Sequence, residues 1–420
     1  MTRQNLHRTL SPLLALGVVA SLAPRASASG FNLREQSPSA QGMSFAGASS
    51  GGSDIGGMYF NPASMALYEG TQAILGASYV MPRAELEDAA AVRGGTPVSG
   101  SGHVANAARS ALLPNVYLLW GKRPDLKLGF SVNVPFGMGT DYDEDFVGRY
   151  HALKSDLSMI DFAPSVAWRI NPQWSVGAAF VVRKADAQLT NAVFVGTDAH
   201  ASMKADAWGY GYRLGVIYQP TETLRFGLAH HARISVKLKG DVDFTGTSLL
   251  PDGGVSTNLD LPATTSLGVS ADLSPTVSLH GEIARTDWSS FSQLRIKFAT
   301  GMPDSVTEER WRDTWFCALG LAWKATDAWT FRTGVAHDQG ATKDAYRTPR
   351  IPDCERTWVS VGAGYAFSQR FSVDGAYTHL FMADGPLRLT GAPPDQSRGA
   401  LTGTYKNCIN ILSVQARYVF

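Results

Sequence analysis

From about residue 70 to the C-terminus, apolar and polar positions alternate with the two-residue period of β-strands. In WFCALGLAWK (315–324), Trp315, Cys317, Leu319, Leu321 and Trp323 share one face. Phe316, Ala318, Gly320, Ala322 and Lys324 share the other. The first face is apolar and carries a Trp at each end; the second is mostly small. Residues 208–218 repeat this, with Trp208, Tyr210, Tyr212, Leu214, Val216 and Tyr218 opposite Gly209, Gly211, Arg213 and Gly215. Eight residues at ~3.3 Å each, tilted by ~40°, set the two Trp rings of the first segment roughly 20 Å apart. That matches a lipid-facing band with an aromatic girdle at each rim.

Turn signals punctuate the alternation at KRPD (122–125), NPQ (171–173), QPTET (219–223), LSPT (273–276), ATDA (325–328) and FSQR (367–370). Their recurrence every fifty residues or so is a repeat. Strand-like runs flank each signal, which predicts six hairpins. Between hairpins lie long polar connections at 82–109, 137–157, 241–261, 341–356 and 382–406. A first strand near 71–81 and a last at 407–420 bring the expected total to fourteen. Tight turns at one end and long loops at the other describe an all-β, 14-stranded antiparallel transmembrane barrel. A β-propeller is the competing architecture, but each blade needs four strands where the repeat supplies two. The chain closes on ARYVF, with Ala416, Tyr418 and Phe420 on the outer face, as the outer-membrane assembly machinery requires of its clients.

The N-terminus differs. Arg3, His7 and Arg8 precede a short apolar run, LLALGVVASLA (13–23), and then Ala26-Ser27-Ala28. This is the layout of a cleaved export signal, with cleavage after Ala28 or Ser29. The run is too short for an anchor, and no stretch of 18 apolar residues occurs in the chain. The expected division is a signal peptide at 1–28, an N-terminal hatch at 29–69 and the barrel at 70–420. Residues 56–67, GGMYFNPASMAL, lack any strand pattern; Pro62 fixes φ and Asn61 can bond local backbone, so the segment reads as a compact turn.

Composition narrows the function classes. Charged residues make up 17 % and the formal net charge is +1, which argues against nucleic acid as a partner. Three cysteines, Cys317, Cys354 and Cys408, allow at most one internal disulfide, and Cys354–Cys408 is the candidate pair. No GxSxG, HExxH or Walker sequence is present, and no catalytic set, cofactor or metal site is expected. His230 and His231 fall on opposite strand faces. The acidic run Asp141, Asp143, Glu144 and Asp145 reads as a solvated loop, with cation binding among lipopolysaccharide phosphates as the alternative. Inward strand positions hold Asp161, Arg169, Arg213, Asp272, Glu282, Arg332, Asp374 and Arg417. They form a structural network, or one or two of them receive an anionic head group. Arg169 and Arg332 are the candidates for the latter.

Several segments together resemble one family. GFNLREQSPSAQGMSFAG (30–47) and FNPASMAL (60–67), then VPFGMGTDY (134–142), GRYHALKSDL (148–157), LPATTSLG (261–268) and RTPRIP (347–352), are similar to FadL-type outer-membrane transporters of long-chain fatty acids, including the TodX-like branch for aromatic hydrocarbons. Ser64 departs from the Gly or Leu common in that family. The resemblance implies a hatch inside the barrel gated at Asn61, Pro62 and Ala63, and a ligand pocket reached by Gly30 and Phe31. It implies entry through a groove among external loops. It also implies sideways exit where the third strand kinks, near Gly129, Pro135 and Gly137. The implied protein is a monomeric passive transporter in the outer membrane of a Gram-negative bacterium, in contact with its lipid and lipopolysaccharide. Its partner is a hydrophobic small molecule, a fatty acid first and an aromatic hydrocarbon as the alternative. A structural or adhesive barrel with a permanent plug is the reading from a different class.

Overall fold

The computed structural model describes residues 30–420; the expected export signal, its cleavage site and the boundary at residue 28 lie outside them. Fourteen strands close into one antiparallel ring. They are β1 (Gln72–Arg93), β2 (Ala111–Trp120), β3 (Leu126–Asp141), β4 (Lys154–Arg169), β5 (Trp174–Phe194), β6 (Asp198–Thr221) and β7 (Leu224–His231), then β8 (Thr264–Asp272), β9 (Val277–Thr286), β10 (Thr314–Lys324), β11 (Trp329–Asp338), β12 (Arg356–Ala366), β13 (Phe371–Met382) and β14 (Ala400–Val419). Each pairs with its sequence neighbour, and β14 returns to β1 from Gln72↔Val419 to Val92↔Ala400. Closure joins the first strand to the last, the condition for crossing lipid with strands.

The alternation read from the sequence sets the inside and outside of the wall. Trp315, Leu319, Leu321 and Trp323 are exposed on β10, as are Trp208, Tyr210, Tyr212 and Leu214 on β6. Their inward neighbours Phe316 and Arg213 are buried. All six tight turns lie where the turn signals stand. The long connections differ from expectation. The polar character of 241–261 predicts a loop, yet strands Ile234–Thr245 and Gly253–Leu261 form a hairpin that continues the sheet beyond β6. Gln293–Phe298 adds to its far edge. The reason is amphipathicity: Ile234, Val236, Leu238 and Val242 are buried, while Ser235, Lys237 and Lys239 face water.

Inside the ring sits the hatch. It has no strand, only short helical turns: Pro38–Gln41 capped by Ser37, Ala48–Ser50, Ile55–Tyr59 and Pro62–Leu67. Met43, Phe45, Ile55, Met58 and Met65 are fully buried against the wall. This packing explains the small residues: a segment filling a lumen must fold on itself without adding a layer.

Candidate functional site

The hatch is fastened to the wall at Asn61. Its Oδ1 accepts from Ala63 N–H at 3.0 Å, capping the turn that Pro62 opens. Its Nδ2 donates to the Ser49 carbonyl at 2.7 Å and to the wall carbonyl of Val216 at 3.1 Å. Gly215 and Gly177 make this approach feasible, because a Cβ at either would overlap Asn61 or Ala63. The Asn-Pro-Ala stretch is therefore a cap and a wall anchor at once. His231 Nε2 meets the Phe60 carbonyl at 3.0 Å, whereas His230 points out, to Thr265.

Several charges in the lumen are held by partners. Asp161 accepts from Arg183 at 2.6 and 2.9 Å and from Arg213 at 2.6 Å, all three side chains being buried. Arg213 stacks on Tyr59 of the hatch and Arg183 on Phe136 of β3. Glu282 accepts from Ser49 N–H at 3.1 Å. Of the two candidate head-group arginines, Arg332 is bound to Asp374 at 2.7 Å. Arg169 donates to the Ala66 carbonyl at the turn end of the barrel, 3.9 Å from Glu69. The hatch and the wall take up both, and neither lines an apolar cavity.

Three cavities run in series on the loop side. The outermost is a groove of about 430 Å³, with Val193, Phe244, Phe298 and Met302 on its apolar side and Arg93, Arg350 and Arg398 on its polar side. The second is an apolar cavity of about 80 Å³, walled by Leu189, Met203, Leu238, Leu259, Leu294 and Ile296. Arg350 lines both. The third, of about 420 Å³, lies where β2 and β3 part and reaches Leu112 and Ile160, which are exposed on the lipid side. Phe31 lines the second and third, as do Met138, Leu157 and Ile351, so its ring forms part of the partition between them. That ring packs against Phe136, Trp288, Phe291 and Trp311 at 5.0–6.0 Å. Gly30 is confined beside it: φ is +65°, and a Cβ would run into Trp311 and Trp288.

Arg350 was not singled out in the sequence. It is buried, and its guanidinium donates only to neutral acceptors: Lys154 carbonyl at 3.2 Å, Ser155 Oγ at 3.1 Å and Asn191 Oδ1 at 3.2 Å. Among the described residues it has no ion-pair partner. Burial pulls its pKa down to about 10, still charged at neutral pH. Nearby Glu309 accepts from Trp311 Nε1 at 2.9 Å, and burial pushes its carboxyl up to about 8, so at pH 7 it is mostly neutral. The Thr257 hydroxyl, on the same cavity, is buried with no hydrogen-bond partner among the described residues. The site is an apolar pocket with one unneutralised cation at its mouth.

The third strand, β3, is irregular. The ladder between β2 and β3 stops at Val116↔Val132, and β3 slips register against β4 between Asn133 and Phe136. Pro135 sits in the slip and Gly137 just past it; Gly129 lies below, in the paired part, against Met65 of the hatch. The disulfide expectation fails: Cys354 and Cys408 are both free. Asn407 is the β14 residue that reaches Cys354, at 3.5 Å, and alternation turns Cys408 to the other face.

A plugged, closed barrel with a lipid-facing wall and an internal apolar pocket defines an outer-membrane transport protein for hydrophobic compounds. The family described as "Outer membrane protein transport protein (OMPP1/FadL/TodX)" matches residues 19–420, and the chain belongs to it. The chain is 30 % identical to a 47 kDa outer membrane protein of Pasteurella multocida, over 90 % of this chain and 94 % of that one. It is 27 % identical to a long-chain fatty acid transport protein of Escherichia coli, covering 89 % and 92 %. A crystal structure of a Pseudomonas aeruginosa FadL homologue superposes with a TM-score of 0.87 at 27 % identity, covering 93 % of this chain and all of that one. The Ralstonia pickettii toluene transporter TbuX shares the fold, with a TM-score of 0.69 at 20 % identity over 91 % and 98 %. The family is one of outer-membrane transporters in Gram-negative bacteria, not of enzymes.

Proposed function

We propose that this chain carries long-chain fatty acids from the outside into the outer membrane. The observation that carries this reading is Arg350, a buried, unpaired guanidinium at the junction of the outer groove and the apolar cavity. A buried charge without a counter-ion is costly. A carboxylate entering tail-first from the groove supplies that counter-ion, while its chain takes the place of water against Leu238 and Leu259. An aromatic hydrocarbon would leave the arginine unpaired. In this role Arg350 replaces Arg169 and Arg332, which are already engaged.

The remaining steps follow from the series of cavities. A cavity of about 80 Å³ holds a handful of water-sized groups. A long chain therefore has to displace Phe31, which joins the pocket to the space beside β3. From there an apolar solute gains by entering lipid rather than water. Asn61, Pro62 and Ala63 hold the deeper hatch in place, so the lumen need not open end to end. The decisive experiment is uptake by liposomes containing the purified protein, with oleate, oleyl alcohol and toluene compared. Oleate uptake that falls at least about tenfold in Arg350→Met, with oleyl alcohol unaffected, is the expected result. Toluene uptake without oleate uptake would overturn it in favour of an aromatic substrate. No uptake of any of the three would return the protein to a structural role.

A further inference from the structure

The break between β2 and β3 is bridged from inside by residues 31–36. At the slip, Asn133 pairs with Asp161 and Phe136 with Met159, so Val134 and Pro135 together oppose Ile160. The ladder on the other edge has already ended at Val132. Backbone groups of residues 134–137 therefore face a gap at membrane depth, where an unbonded N–H or C=O is costly.

Four hydrogen bonds make up the deficit, all from residues 31–36. Leu33 N–H donates to the Pro135 carbonyl at 2.9 Å, and Gly137 N–H donates to the Phe31 carbonyl at 3.1 Å. Gln36 supplies the other two: Nε2 donates to the Val134 carbonyl at 2.7 Å, and Oε1 accepts from Val134 N–H at 3.1 Å. An antiparallel neighbour exchanges N–H and C=O with its partner in the same way. The Gln36 amide thus stands in for one residue of missing strand. Leu has neither group and an ionised Glu has only the acceptor. Gln36 is itself held, its backbone carbonyl accepting the Tyr117 hydroxyl at 2.6 Å, and Tyr117 in turn accepts from Asn133 Nδ2 at 2.7 Å. Beside them, both amide atoms of Asn115 and the Oδ1 of Asn133 are buried without partners among the described residues.

We propose that Gln36 is a positioning residue that latches this gap. Seated, it completes the bulged strand at Val134 and narrows the gap that the third cavity occupies. A ligand that displaces Phe31, on the same short segment, draws Gln36 off Val134 and widens the gap toward lipid. The inference rests on the sideways route given above. Its test uses the full mature protein, with hydrogen–deuterium exchange over residues 131–140 and oleate uptake measured on separate samples. In the wild type, the Val134 and Gly137 amides are protected and oleate raises their exchange. In Gln36→Leu, exchange without oleate rises about tenfold or more, and oleate adds little. Gln36→Glu, which keeps the acceptor for Val134 N–H and loses the donor, falls between. Heat-modifiable gel mobility shows that each barrel is folded. A merely structural residue would raise exchange along β3 and its neighbours alike and leave the response to oleate intact; that result overturns the latch, as does wild-type exchange in Gln36→Leu. Absent oleate uptake by the wild type overturns the transport reading instead, so the two failures are told apart.

Discussion

The two ends of the hatch are built for opposite purposes. Residues 61–67 are pinned by an asparagine that reaches wall carbonyls through space left by two glycines. Residues 30–36 rest on a broken strand and on rings of external segments. The first end packs against an intact ladder, in space that only glycine leaves. The second bonds strand edges that are already incomplete, and its Phe31 ring forms part of the wall between two cavities. On the route proposed above, the plug stays in its barrel while its residues 30–36 move.

The strongest way to break this contrast is to dislodge the pinned end. In Gly215→Val, a side chain overlaps Asn61. The hatch is expected to undock, becoming open to protease while the barrel keeps its folded mobility. Asn61→Ala should act in the same direction more gently, costing about 2–3 kcal/mol for the lost cap and the wall and hatch bonds. It would be read as faster amide exchange in residues 61–67. If either variant changes only exchange at residues 30–36, the assignment of the pinned end is wrong.

Next in size comes the loose end's ligand. Arg350→Met should weaken oleate binding about 10- to 100-fold and leave oleyl alcohol alone, as measured by titration of the purified protein. A smaller effect follows from pH. Glu309 holds its proton to about 8, above the ordinary carboxylic value. The folded protein therefore keeps a proton that the unfolded chain releases at lower pH, and stability falls as pH rises from about 4.5 to 8. Above pH 8 the ionised Glu309 supplies Arg350 with an internal counter-ion. Oleate affinity should then drop several-fold between pH 7 and 9, and Glu309→Gln should flatten that profile. The smallest effect concerns the thiols: alkylation of denatured, unreduced protein should count three. In the folded protein Cys354 should react slowest, since burial pushes its pKa up to about 12.

What could be read in advance divides along the same line. Alternation named the outward residues of β6 and β10, because in-or-out is a property of single residues in a two-residue period. Pro135 marked the weak strand, because a missing N–H is visible in the sequence. Arg350 went unremarked inside RTPRIP, a stretch read only as a family likeness. Arg169 and Arg332 were preferred for their inward positions, yet position in a strand says nothing of height in the barrel or of the hatch residue waiting there. Gln36 carried no signal: a glutamine bonding a strand 98 residues away is recognised only once both are placed.

The sequence by itself determined the barrel, its strand number, its lipid face, its turn side and a non-strand segment able to fill it. Each of these follows from local periodicity, from turn chemistry or from steric limits on single residues. Tertiary structure alone decided which buried charge lacks a counter-ion, which ring helps to divide two cavities and which side chain completes a broken strand. Those are relations between segments brought together by closure of the ring, and no local pattern encodes the partner that is missing.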